Sequence, residues 1–265
     1  MELNRDIYQK LLNWKERNSR KVLELNGASQ VGKTFILNRF SKEYRASHYI
    51  NMVGLTGERF LQCLHTAAAW EPGQPQKEDP LHKAFQLYDP NFTDEEERLV
   101  VIDEIQDSPE VYSKIREFAR NFHCHFIVAG SYLGRTQGKE FFLSAGDVES
   151  LTMTPLTFPE FLEAVQLRDL YNTIDLFGAS SQEDYDRLKH YFDVYLHIGG
   201  YPEVVKTYLE TGSMEKCADV IEELVSVFIR ESARYFENPL ETATFSKVLS
   251  SIAVAMLKEK KGTKD

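Results

Sequence analysis

The chain predicts an α/β domain on a buried, mostly parallel sheet, followed by an all-helical region. Three observations carry this. Short apolar runs of strand length alternate with helical patterns between Val22 and Ala164, the arrangement that βαβ units produce. The first run, Val22-Leu23-Glu24-Leu25, leads into Gly27-Ala28-Ser29-Gln30-Val31-Gly32-Lys33-Thr34, which fits G-x-x-x-x-G-K-S/T at every position. A strand before and a helix after are the context that this phosphate-binding loop requires. Beyond about residue 166 the strand signal stops.

Residues 4–17 read as an amphipathic helix with Ile7, Leu11, Leu12 and Trp14 near one face. Asn18 to Lys21 turn the chain into the first strand, and Phe35 to Phe40 continue as a helix after the loop. A second strand is expected at Ser47–Met52 and a helical pattern from Thr56 to Leu64. Trp70 to Pro90, rich in proline, reads as a loop or insertion with one short helix. The acidic run Asp94-Glu95-Glu96-Glu97 reads as a solvated helix face. Leu99-Val100-Val101-Ile102-Asp103-Glu104 is a strand-length apolar run ending in two acids. A helix follows over Pro109–Asn121, with proline in its first turn. His125–Ser131 reads as a buried strand and Glu149–Leu156 as the last one, leading into a helix over Phe158–Ala164. Asp184–His197, Glu203–Leu209 and Lys216–Tyr235 are helical, and Gly199-Gly200-Tyr201-Pro202 separates the first two. The expected layout is therefore an α/β domain over 1–165, a helical domain over 166–240, and a further region beginning at 241.

A hydrophobic content of 42% over 265 residues supports a full core and about two domains. The net charge of −10 argues against a broad nucleic-acid surface, which rests on clustered Lys and Arg. Cys63, Cys124 and Cys217 are widely spaced, odd in number and free of any C-x-x-C pair, as in a reducing cytosol. No run of 18 apolar residues occurs and the N-terminus lacks a signal peptide's apolar core. A soluble cytoplasmic protein without membrane insertion is expected.

The loop glycines let backbone N–H groups wrap around phosphate oxygens, and the positive end of the next helix completes the anion site. Gly27, Ala28, Ser29, Gln30, Val31, Gly32, Lys33, Thr34 and the adjoining Phe35 are the expected nucleotide contacts. Lys33 is expected to reach the β- and γ-phosphates and the Thr34 hydroxyl to ligate Mg²⁺. Asp103, at a strand end, is suited to hold Mg²⁺ through its water shell, and Glu104 to orient or deprotonate an attacking water. Ser131 is placed to hydrogen-bond the γ-phosphate or that water, or is an ordinary strand-to-loop serine. Arg135 offers charge to the γ-phosphate of its own or a neighbouring site, or is a solvated surface arginine. His123-Cys124-His125 suggests a metal cluster, but in a strand the histidines share one face and Cys124 the other, so no zinc site is expected.

Five motifs in order, G-A-S-Q-V-G-K-T, L-V-V-I-D-E-I-Q, V-A-G-S, P-L-T-F-P-E-F-L and I-G-G-Y-P-E-V-V, resemble those of prokaryotic, archaeal-type AAA ATPases with a C-terminal domain of unknown function. The resemblance implies a P-loop NTPase core with strand order 5-1-4-3-2, a helical lid, and a winged-helix or nuclease-like C-terminal region. It makes Asp103 and Glu104 the Walker B pair and Ser131 the sensor 1 candidate. Gly200-Tyr201-Pro202 is similar to the turn with which the lid of signal-transducing relatives touches adenine or ribose. ATP and ADP are the implied ligands, with Mg²⁺. Two positions depart from the pattern: Ser29 stands where the family's loop has arginine, and Ala145-Gly146-Asp147 stands where many members carry Gly-Arg. The chain also ends earlier than the family implies, so a C-terminal module for a protein or DNA partner is expected outside it. A homo-oligomer is required if an arginine acts in trans. The expected function is Mg²⁺-dependent ATP binding and slow hydrolysis, with the lid coupling nucleotide state to a partner. The alternative is a nucleotide-gated switch with negligible turnover.

Overall fold

The computed structural model describes residues 2–69, 79–131, 146–175 and 177–232, with short stretches between 243 and 255. Five strands, β1 (Val22–Gly27), β2 (Ala46–Asn51), β3 (Arg98–Asp103), β4 (His125–Gly130) and β5 (Val148–Met153), form one sheet in the order β2-β3-β4-β1-β5. Every pairing is parallel. Read from the other edge this is 5-1-4-3-2, the order that the resemblance implies.

The apolar runs are unbroken because both faces of the sheet are covered, as parallel sheets require. Alternation along each strand then sorts the side chains. Leu99, Val101, Ile127 and Ala129 point to the face packed by α1 (Asp6–Glu16) and α2 (Lys33–Phe40) through Leu11, Trp14, Ile36 and Phe40. Val100, Ile102, Phe126 and Val128 point to the other face. There α3 (Leu55–Ala68), α4 (Pro80–Tyr88), α5 (Pro109–Tyr112) and α6 (Ile115–Asn121) supply Phe60, Phe85, Val111 and Phe118. All six residues of β1, β3 and β4 are buried, whereas β2 and β5 at the edges are partly open.

A third core cluster joins α7 (Phe158–Ala164), α9 (Gln182–Ile198), α10 (Pro202–Thr211) and α11 (Met214–Ser232) through Phe161, Val194, Ile198, Val204, Val205 and Cys217. Helix α8 (Arg168–Thr173) lies beside α7. Leu3, from before α1, is buried in this same cluster, and Tyr201 packs against both it and the sheet. Thus α7 packs with the helices that follow it.

Three local expectations differ from the structure. The helix expected over Pro109–Asn121 is two short ones, with Ser113 capping the first. The acidic run is no helix. Asp94 accepts bonds from the His123 and Cys124 amides (both 2.8 Å), from His123 Nδ1 (3.0 Å) and from His82 Nε2 (3.2 Å). A short carboxylate collects two amides and two imidazoles there, and fixes the turn before β3. The same contacts show that His123 and Cys124 precede β4 and do not alternate within it. His125 is buried elsewhere, between Tyr44 and Asn18. Among the described residues no His, Cys, Asp and Glu group has the arrangement of a metal site, and no helix is long and apolar enough to cross a membrane.

Candidate nucleotide site

The phosphate loop leaves the carboxyl end of β1 and closes on α2, where open α/β sheets bind ligands. Gln30 (φ 62°) and Gly32 (φ 97°) are both left-handed. For Gln30 this is a cost of roughly 1–2 kcal/mol that the surrounding structure must hold. Gly32 is also the N-cap of α2 and offers no side-chain cap, so the first amides of the helix remain available to an anion. Gly27 is required by a close approach within the protein: a Cβ there would lie 2.4 Å from the Met153 carbonyl oxygen of β5. Lys33, only 8% exposed, folds back and donates to the Gly27 (3.0 Å) and Ala28 (2.9 Å) carbonyls. Burial lowers its pKa, against the pull of Glu104, Asp103 and Glu231.

The acidic wall comes from the end of β3. Asp103 is buried; its Oδ2 accepts from Thr34 Oγ1 at 3.1 Å and from the Tyr49 hydroxyl, and its Oδ1 from the Glu104 amide at 3.0 Å. Glu104 is left-handed (φ 53°), a second strained residue at this cleft. Gln106 Nε2 donates to the Glu104 carboxylate and to Asp107. Burial, helped by the charge of Asp103, pushes the Glu104 carboxyl above its ordinary range, against Gln106 and Lys33. Such a carboxylate is a better proton acceptor than a solvated one. Thr34 and Asp103 together present hard oxygens, the donor set that Mg²⁺ takes alongside phosphate and water.

The third wall is helical. A cavity of about 570 Å³ lies between the loop and the helices, lined among others by Ser29, Lys33, Phe35, Glu104, Pro202 and Glu231. That volume suits a drug-sized or nucleotide-sized ligand. Pro202, at the start of α10, sits over the loop: a Cβ on Gly32 would lie 3.9 Å from its Cγ. From α11, Glu231 Oε1 accepts from Ser29 Oγ at 3.0 Å.

The structure thus brings Ser29, Gln30, Val31, Gly32, Lys33, Thr34, Phe35, Glu104 and Pro202 to one cavity, with Asp103 behind Thr34. Ser131 directly follows β4, beside Gly130, where a Cβ would meet Gln106 Oε1 at 2.3 Å. Arg135 lies outside the described residues. Asp147 pairs with Arg120 (3.0 Å) and Arg116 (3.4 Å). The next residue, Val148, registers with Val22 at the start of β1. An arginine at position 147 would therefore stand at the amino end of the strands, opposite the carboxyl end where the chain's own cleft lies. Sequence reading misses Arg5, Tyr49, Gln106 and Glu231.

The profile of the AAA domain family matches residues 19–162, more than half of the chain. The chain belongs to that family. It is an AAA-type P-loop ATPase, and the matched span contains the loop, Asp103, Glu104 and Ser131. The Walker-type ATPase PABY2304 of Pyrococcus abyssi shares the fold, with a TM-score of 0.53 and 15% identity, over 88% of this chain and 76% of that one. A signal transduction ATPase with numerous domains from Pyrococcus horikoshii, PH0952, which carries a tetratricopeptide repeat sensor, aligns with TM-score 0.41 and 12% identity, over 80% of this chain and 30% of its own. The ORC1 protein of Aeropyrum pernix, solved in complex with DNA, aligns with TM-score 0.38 and 16% identity, over 64% and 50%. No curated protein matches the AAA-type chain by sequence.

Proposed function

We propose that this ATPase binds MgATP in the cleft between loop and helices, hydrolyses it slowly, and uses the helices as a lid that couples nucleotide state to a partner. One observation carries the reading: Lys33, Thr34 and Glu104 face one cavity, and Asp103 is bonded to Thr34 at its rim. The phosphates meet the loop amides and the N-terminus of α2, and Lys33 exchanges its two carbonyl partners for phosphate oxygens. Thr34 and Asp103 hold Mg²⁺, which neutralises phosphate charge. Glu104, oriented by Gln106, takes the proton of the attacking water, and Ser131 steadies the γ-phosphate or that water. ATP is preferred to GTP on the family resemblance, with Pro202 beside the base or ribose.

Slow turnover follows from the cation supply. Among the described residues lining the cavity the basic ones are Arg5, Lys33 and Lys206, and Arg5 is bound elsewhere. Ser29 leaves the loop without the family's arginine, and an arginine finger is worth about 10³–10⁵ in rate. Arg135, from this or a neighbouring copy, is the candidate to supply that charge.

Replacing Lys33 with Ala is expected to abolish MgATP binding in calorimetry while the fold persists; wild-type affinity in that variant would overturn the reading. Glu104→Gln is expected to keep binding and lower phosphate release by about 10²-fold or more. The second reading, a switch with negligible turnover, is favoured by the Ser29–Glu231 contact that joins lid to loop. Phosphate release sustained above the Glu104→Gln background excludes it.

A further inference from the structure

We propose that Arg5 is a positioning residue: it holds the phosphate loop in its binding shape and ties that shape to the lid. The inference rests on the reading that the cleft takes a nucleotide. Arg5 directly precedes α1 and is 8% exposed. A guanidinium so buried is tolerable only when its donors are matched, and here they reach three separate elements. Nη1 donates to the Val31 carbonyl of the loop at 3.0 Å, Nη2 to the Thr154 carbonyl beyond β5, and Nε to Glu160 Oε1 in α7 at 3.2 Å. The planar, delocalised fork cannot adjust one of these contacts without moving the others.

Val31 is the position that makes this matter. Its carbonyl and the Gly32 N–H belong to one planar trans peptide and point opposite ways. Fixing the carbonyl on Arg5 therefore fixes the Gly32 N–H, in the residue that caps α2 and lines the cavity. The residues on either side of Val31, Gln30 and Gly32, are both left-handed, so Arg5 anchors the loop within its left-handed turn.

Glu160 carries the connection to the lid. Its Oε1 accepts from the Asp6 amide at 2.7 Å as well as from Arg5, and its Oε2 accepts from the Thr157 amide at 2.8 Å, closing the capping box of α7. Phe161 of the same helix is buried among Val194, Ile198 and Val204 of the lid. A lid displacement that moves α7 thus moves Glu160, and through Arg5 the Val31 peptide.

The test is hydrogen–deuterium exchange on the full chain, with and without MgATP, in the wild type, Arg5→Met, Arg5→Lys and the double variant Arg5→Met/Glu160→Gln. The double variant removes both buried charges together, whereas Arg5→Met alone strands Glu160, and protection of β1 and β4 reports that it is folded. In the nucleotide-free double variant, amides 28–34 are expected to exchange about tenfold faster while β1 and β4 keep their protection, and MgATP affinity to fall about tenfold. Arg5→Lys is expected to recover only part of this, because the three acceptors are spread around the Nε, Nη1 and Nη2 of a planar fork and a single ammonium nitrogen cannot reach all of them. Unchanged loop exchange in the double variant would overturn the proposal. If MgATP protects no loop amide in the wild type, the nucleotide reading fails, and the nucleotide-free comparison still decides the role of Arg5.

Discussion

The wall of the cleft built by the sheet is buried along every residue of β1, β3 and β4, whereas the helical wall keeps a core cluster of its own and adds polar contacts to its neighbours that can be named singly. Leu156 donates from its amide to the Gly200 carbonyl at 2.6 Å, Tyr195 Oη to the Leu156 carbonyl at 2.7 Å, and Ser29 to Glu231 at 3.0 Å. In α9, only Leu188, Val194 and Ile198 are buried, and Phe192 and Leu196 are exposed. On the proposed reading, the groups that must stay in register for chemistry sit on the first wall and those that would sense the ligand on the second. A low density of buried contacts is what permits an element to open without unfolding the rest.

The comparison is broken most directly at Gly200. A Cβ there would lie 2.0 Å from the Leu156 carbonyl oxygen, with backbone atoms of the same residue at 3.0 Å, so Gly200→Ala must push the turn before α10 away from the segment that links β5 to α7. We expect a loss of about 1–3 kcal/mol in chemical denaturation, together with faster proteolysis in the helical region and weaker MgATP binding. Unchanged stability would mean that the lid is not held at this point. A smaller effect is expected at Glu231, whose carboxylate faces the phosphate loop and acts on Lys33. Its charge opposes a phosphate at the same cavity, so Glu231→Gln is expected to tighten MgATP about three- to tenfold, the order of one screened charge contact. An unchanged or weaker affinity would show that α11 does not compete with the ligand.

Legibility in the sequence followed the distance over which each contact acts. The loop and the β3 acids are readable because spacing within one β–α unit carries them, whereas the strand order is implied by the family resemblance and not by spacing. Arg5 was not, since its partners are 26 and 155 residues away, and neither was Glu231, 202 residues from Ser29. Tyr49 is one residue of an edge strand until register places it, fourth in the pairing of β2 with β3 and two before the Asn51–Asp103 pair, near Asp103. Gln106 was visible within D-E-I-Q, but only the fold shows that it holds Glu104. The helix over Pro109–Asn121 was read as continuous because its hydrophobic spacing runs through the break. The acidic run is not legible, because four adjacent acids suggest a solvated helix face and nothing local tells that the first meets two amides and two imidazoles.

That first acid provides a test of stability alone, and it belongs to the buried wall. Burial of Asp94 disfavours its charge, but the Cys124 amide, the His123 and His82 rings and the His123 amide outweigh this and hold its pKa at about 2, below the usual 3.8. A carboxylate whose folded pKa is depressed stabilises the fold fully above its unfolded pKa. That contribution is lost as pH falls through the folded value. The window is therefore roughly pH 4 down to 2, and the size about 1–2 kcal/mol after allowance for solvent screening. Asp94→Asn is expected to be less stable than the wild type at pH 6 by about this amount and to converge on it near pH 2. Urea unfolding across that range measures both curves. Parallel curves would mean that the turn before β3 is held by packing alone; convergence would tie the acid sensitivity of the rigid wall to one carboxylate at the turn that feeds Asp103 into the cleft.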